Sequence, residues 1–196
     1  MKQVKWAAVA VTILVTTLVA SPDVRAQRHT IDSQRSKIAI RVYKSGLFSI
    51  FAHDHEIRAS IARGEVDDSA NPSVEFWIDA GSLRVVDPDL SAKDRAEVQR
   101  TMEGTEVLDI GQFQEIHFRS VVVEKEGANR WIVRGELSLH GQNRPVVVAV
   151  SETDGNYVGS ATLRQRDFGI TPITIAGGTV RVKDSVKVEF EVGTMR

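Results

Sequence analysis

Cysteine is absent from all 196 residues of the chain. Its absence excludes a thiol nucleophile, a thiolate metal centre and a lipid anchor on cysteine, and in an oxidising compartment the fold must hold by burial alone. Aromatic residues make up only 6% of the sequence, too few for base-stacking platforms. The 25 Lys and Arg balance 26 Asp and Glu, and no basic run stands out. The electrostatic footprint of a nucleic-acid partner is therefore missing. So are a Gly-rich phosphate loop, a nucleophile elbow and a kinase-type motif; no reaction is assigned, and the reading is of a protein that is not an enzyme.

The N-terminal stretch has its own character. Lys2 and Lys5 precede an uncharged, mostly apolar run from Ala7 to Ala20, and Val24-Arg25-Ala26 places small residues where a signal peptidase reads. At about 14 residues the run is short of the roughly 20 that span a bilayer. It predicts a secretory signal over residues 1–26, cleaved after Ala26, with no transmembrane anchor once processed. Removing 26 residues from 196 leaves 170, beginning at Gln27. Three cations and one carboxylate leave with them, which moves the net charge from -1 to -3. The remainder, 27–196, is long enough for one domain that buries a sizeable core.

What fills that domain is alternation. SKIAIRVYKS sets Ile38, Ile40 and Val42 on one face, and SVEFWIDA sets Val74, Phe76 and Ile78 against Glu75, Trp77 and Asp79. IHFRSVVVEK, WIVRGELSLH, PVVVAVSE and VKVEFEVG continue the pattern, bounded by Gly, Asn, Asp or Pro. Many short strands with turn signals between them predict an all-β sandwich or barrel. EGANR and the stretch around Gly155 predict hairpins, and Gly177-Gly178 a turn. The exception is SAKDRAEVQRTMEG. Its Ser91 N-cap, Asp94 three residues on, Val98–Met102 stripe and Gly104 at C′ predict one surface helix, laid over a sheet or across a barrel mouth.

Three segments then carry a resemblance. HTIDSQRSKIAIRV, with His29 in an aromatic position, GELSLHGQNRPVVVAV, with Gly135, Leu137, Gly141 and Pro145, and RDFGI followed by VKDSVKVEFEV together resemble the YceI-like, or polyisoprenoid-binding, family. The similarity spans essentially the whole chain after the leader. It implies an extended lipocalin-like antiparallel β-barrel with a helix near one end. Some members are periplasmic and hold a long isoprenoid or quinone-type lipid inside the barrel. Two stretches depart from the pattern: Phe113-Gln114-Glu115-Ile116 stands where Tyr-Pro is common, and the His-Asp-His triplet of FAHDHEI where many members have Gly-x-Phe.

An uncharged polyprenyl chain is recognised by apolar burial, at about 25 cal/mol per Å². Parity in the second strand puts Phe51, His53, His55, Ile57, Ala59 and Ile61 on one, inward face, with Asp54, Glu56 and Arg58 on the other. The expected lining is Ile38, Ile40, Val42, Phe51, His53, His55, Ile57, Ile61, Val74, Phe76, Ile78, Ile116, Phe118, Leu137, Leu139, Arg166 and Phe168. The same residue types fill a solid barrel, so alternation leaves core and tunnel open. Arg166 and Phe168 alternate onto one face of a strand, where Arg166 meets either a polar head group or a structural carboxylate. His53 and His55, at i and i+2, suit wall contacts to a head group, a metal that needs further ligands such as His117 or His140, or a pH-linked switch. The expectation is a secreted or periplasmic binding protein needing no cofactor beyond a bound polyisoprenoid, quinone or similar lipid. Its rivals are a metal-binding envelope protein with an enzymatic or stress-related role, and a filled barrel working through a partner on the helix Ser91 to Gly104. The oligomeric state stays open, a homodimer included.

Overall fold

The computed structural model describes residues 28–45, 54–175 and 180–195. Its strands are β1 (Arg28–Ser45), β2 (His55–Ala59), β3 (Arg63–Asp67), β4 (Ser73–Asp79), β5 (Arg84–Val85), β6 (Glu115–Gly127), β7 (Arg130–Leu139), β8 (Gln142–Thr153), β9 (Asn156–Arg164), β10 (Thr174–Ile175) and β11 (Val180–Thr194). One helix, α1, covers Ala92–Glu103.

Every pairing is antiparallel, and the chain closes on itself. The order β1-β3-β4-β6-β7-β8-β9-β11 returns to β1 because β11 pairs with β1, giving an eight-stranded barrel. Closure removes the free sheet edges that an open sheet would expose. β1 makes it possible by serving two partners on one side: Arg28–Thr30 pair with β3, and Ile38–Val42 pair with β2. A register shift between Asp32 and Lys37 marks the handover, with the buried Ser36 hydroxyl donating to the Asp32 carbonyl at 2.7 Å and accepting from the Gly193 N–H at 3.2 Å. β1, at 18 residues, and β11, at 15, are longer than the short strands the turn spacing predicts, because this bulge lets β1 bend without ending.

The predicted hairpins form. The turns after β7 and β8 place His140-Gly141 and Asp154-Gly155 at positive φ, as two-residue hairpin loops require. Gly177-Gly178 lies outside the described residues. A close approach explains one inward glycine: a Cβ on Gly135 would lie 2.5 Å from the Arg119 carbonyl and from the Phe118 ring. Phe118 thus lies across β7 where any larger residue would displace it.

β2 and β5 extend the sheet beyond the closed ring, and α1 protects their edge. Gln99 donates to the Leu83 carbonyl and accepts from the Val85 N–H, both at 2.8 Å, so a side chain supplies the pairing that a neighbouring strand would give β5. Ser91 caps the helix, accepting from the Asp94 N–H at 3.1 Å, and Met102 is buried in the core. Gly104 differs from expectation: it is the C-cap itself, with φ −73°, so the helix ends in extended backbone without a left-handed glycine.

Candidate ligand-binding site

The inward faces are fixed by register. Ile38 pairs with Phe190 and Ala59, Ile40 with Val188 and Ile57, and Val42 with Val186 and His55. Paired residues share a face, so this set forms one continuous apolar strip. Around the ring it continues through Phe76 beside Phe118, with centroids 5.3 Å apart, then Leu137, Val148 and Ala161.

Burial divides the strip. Ile38, Ile57, Ile61, Ile78, Phe118, Leu137 and Phe168 are buried, and Ile61 is only 1% exposed. Ile40, Val42, Val74, Phe76, Ile116, Leu139, Val188 and Phe190 share the inward face yet are only half-buried. The outward neighbours Ala39, Arg41, Glu75, Trp77, Lys187 and Glu189 are half-buried as well. The sequence-predicted lining thus separates into fully buried and half-buried positions.

At one end the wall turns polar. Ile57 pairs with Val85 in antiparallel register, so two residues back along β2 and two residues on past Val85 His55 falls opposite Asp87. His55 Nδ1 lies 2.6 Å from Asp87 Oδ2, and the Glu56 N–H donates to Asp87 Oδ1 at 2.6 Å. Asp87 is 4% exposed. A carboxylate buried this deeply is tenable because both oxygens accept strong hydrogen bonds. His55 borders a cavity of about 330 Å³ bounded also by Arg41, Tyr43, Lys44, Asp54, Glu56 and the segment Asp87–Leu90.

The outer face beside this cavity is held by charge. Arg41 bridges Glu56 at 3.0 Å and Glu189 at 2.8 Å, and Lys187 reaches Glu189 at 2.7 Å. The hydrogen bond to Glu189, then the Glu56 charge, raises the Arg41 guanidinium above its usual value. Lys187 first, and Arg41 after it, hold the Glu189 carboxyl below the usual carboxylate range. At the far end His29, opposite Val66, lies 3.5 Å from Asp68. Burial pushes the Tyr157 phenol up, and Asp68 and Glu152 add to the shift.

Several predicted positions are placed differently. Gln165–Phe168 form a 3-10 turn, so Arg166 and Phe168 do not share a strand face. Phe168 is buried while Arg166 is exposed, and it is the backbone N–H of Arg166 that meets Asp184, at 2.9 Å. The ion pair to Asp184 comes from Arg164, at 3.4 Å. The turn forms because Gly169 takes φ 75° and its N–H closes back on the Arg166 carbonyl. His117 is remote from His55: it stacks on Trp77 at 4.5 Å and meets Glu75 at 2.9 Å. His140 meets the Phe168 carbonyl at 3.1 Å. Phe51 and His53 lie outside the described residues. Among the described residues no three His, Asp or Glu side chains are grouped to hold a metal ion. Asp87 was missed, although Leu83, Val85 and Asp87 alternate in LRVVD and carry the carboxylate onto the inward face.

A second depression, of about 630 Å³, opens on the outside of β1, β8, β9 and β11 among Lys37, Ala39, Ala149, Val158 and Glu189, and is broadly solvent-exposed. Among the described residues no helix is long and apolar enough to cross a membrane.

An eight-stranded antiparallel barrel with one flanking helix and an apolar inner wall is a lipocalin-like barrel. The model of the YceI-like domain matches residues 29–194, and the chain belongs to that family. Among its relatives, a UPF0312 protein of Vibrio cholerae is 29% identical over 103 residues, covering 46% of this chain and 54% of that protein. Another, from Pseudomonas savastanoi, is 30% identical over 87 residues, covering 39% and 45%. The matched stretch thus spans about half the length of these curated relatives. Among solved structures, Burkholderia cenocepacia BcnA superposes with a TM-score of 0.63 at 18% identity, over 83% of this chain and 98% of that one. A polyisoprenoid binding domain from Saccharophagus degradans, implicated in plant cell wall breakdown, superposes at 0.54 and 11% identity, over 86% and 97%. At these identities the superpositions establish the fold.

Proposed function

We propose that this protein is an exported binding protein that holds one long-chain isoprenoid, quinone or similar amphiphilic lipid inside its barrel. The observation that carries the reading is the continuous apolar inner face of a closed eight-stranded barrel, to which Ile40, Val42, Phe76, Leu139, Val188 and Phe190 contribute. That wall supplies the apolar contact a prenyl tail needs, and covering it releases about 25 cal/mol per Å². The polar pair His55–Asp87 at one end gives an amphiphile an orientation, head at the mouth and tail inward. The polyisoprenoid binding domain with the same fold supports the ligand class. The leader over residues 1–26 supports export, with the chain from Gln27 acting in the periplasm or outside the cell. No reaction is assigned, and no cofactor is required.

Native mass spectrometry of protein recovered from the periplasm tests this. The reading expects an N-terminus at Gln27 and an added mass of several hundred daltons that disappears on denaturation and extracts into organic solvent. A cytoplasmic protein that keeps its leader contradicts the export half. A bare mass that stays bare after incubation with prenyl lipids contradicts the binding half.

A further inference from the structure

We propose that Trp131 and Tyr157 close one end of the barrel and so fix the longest tail it accepts. The inference rests on the lipid-binding reading above and names the residues that end the tail.

Register fixes where the two rings point. Ile38, Phe190, Gly159, Val150 and Trp131 pair in succession across β1, β11, β9, β8 and β7. Paired residues share a face, and Ile38 is buried in the core, so Trp131 faces inward. Tyr157 pairs with the buried Val192 and takes the same face. β7 and β9 are separated by β8, about 10 Å apart at two strand spacings. The two ring centroids nevertheless lie 5.9 Å apart, with the planes at 67°. Each ring therefore leans over the inner face of β8 toward the other.

The far side of the ring meets them. In the strand order β7 stands diametrically opposite β1, and β1 runs from His29 at this end to Val42, opposite His55, at the other. His29 lies 3.5 Å from Asp68, which follows β3, and the Asp68 carboxylate also acts on the Tyr157 phenol. Side chains from β7, β9, β1 and the end of β3 thus gather at one end. Ile31, next inward from His29 on β1, is 2% exposed, so the floor beneath them is packed. Beyond the rings the groups are polar: His29, Asp68, Glu152 opposite Tyr157, and Lys125 opposite Trp131. An apolar tail that passed the rings would strip water from these groups without replacing their hydrogen bonds. Each added five-carbon unit is therefore buried until the tail meets Trp131 and Tyr157, and the next must stay outside.

The test is a series of prenols of two to six five-carbon units, each titrated into the protein from Gln27 in one detergent condition. Affinity is expected to rise about tenfold or more with each unit until the tail meets the rings, and then to stop rising. In Trp131→Ala and Tyr157→Ala the stop should come at least one unit later. Comparing parent with variant cancels the differences in solubility between tails. A second measurement uses the unmodified protein and decides alone if the variants fail to fold. The indole N–H signal of Trp131 in the NMR spectrum should shift with the first tail that reaches the limit and stay in place with shorter ones. The signal of Trp77, stacked on His117 on the outer face, should not move with any of them. Affinity that climbs through all six units, a limit unmoved in folded variants, or a Trp131 signal that responds equally to the shortest prenol overturns the inference and leaves the lipid reading standing. Failure of every prenol to bind overturns the lipid reading itself.

Discussion

His55 on β2 and Asp87, just beyond β5, face each other across the sheet extension at 2.6 Å, and the same carboxylate takes the Glu56 N–H at 2.6 Å. One buried side chain therefore sets the orientation of the histidine and ties β2 to the segment leading into α1.

Removing Asp87 should cost stability as well as binding. Asp87→Ala leaves the Glu56 N–H and the His55 ring without acceptors in a buried site, and the expected loss is about 2–4 kcal/mol. Asp87→Asn keeps the shape and one acceptor, and should lose about half as much. Urea unfolding monitored by circular dichroism reads both. An Asp87→Ala variant as stable as the parent would show that the pair is not structural.

Core and wall should respond differently to truncation. Ile61→Ala, at a position 1% exposed, should cost about 2–5 kcal/mol. Ile40→Ala removes a half-buried side chain, and should cost about 1 kcal/mol or less while weakening lipid binding. Equal costs at both positions would mean that the barrel is filled. Chemical denaturation gives the stabilities, and titration with geranylgeraniol gives the binding.

Gly135→Ala should destabilise by about 1–3 kcal/mol, since the new methyl would meet the Arg119 carbonyl and the Phe118 ring, each at 2.5 Å. Backbone cannot move aside as a flexible side chain can. Pairing the change with Phe118→Leu should recover part of the loss in thermal melts, because the ring is one of the two obstacles.

The charge lattice outside the mouth predicts an acid response. Lys187 and then Arg41 hold Glu189 below the ordinary value of 4.5, so the folded state releases this proton more readily than the unfolded chain. Its contribution is present above that value and is lost as pH falls through the lower, folded one. The melting temperature of the parent should therefore fall more steeply on acidification below pH 4.5 than that of Glu189→Gln. Parallel profiles would show that the lattice adds nothing. Both groups are solvent-facing, so high salt should shrink the difference.

Most of the barrel was legible because alternation is a local signal. Ile38-Ile40-Val42, Val74-Phe76-Ile78 and VKVEFEV each announce a strand with one apolar face, and Asp154-Gly155 announces its hairpin. β3 was not, because RGEVD offers only Val66 and a side-chain-free Gly64 to the inside. RDFGI alternates in sequence but turns in space: the strand ends at Arg164, Gln165–Phe168 form a 3-10 turn, and Gly169 closes it in a left-handed conformation. The shared face of His55 and Ile57 was readable: they pair with Val42 and Ile40, and Ile57 is buried. Asp87 was not singled out, since its role depends on the β2–β5 register, which no local pattern encodes.

The central claim is that a lipid tail lies inside the barrel. Methyl-labelled protein observed by NMR during addition of geranylgeraniol tests it most directly. The account predicts intermolecular contacts and saturable shifts at the inward methyls of Ile40, Val42 and Val188. Val121 and Val147, 70% and 53% exposed on the outer face, should stay unmoved. Shifts confined to those outer valines, with the inner methyls unchanged, would contradict it.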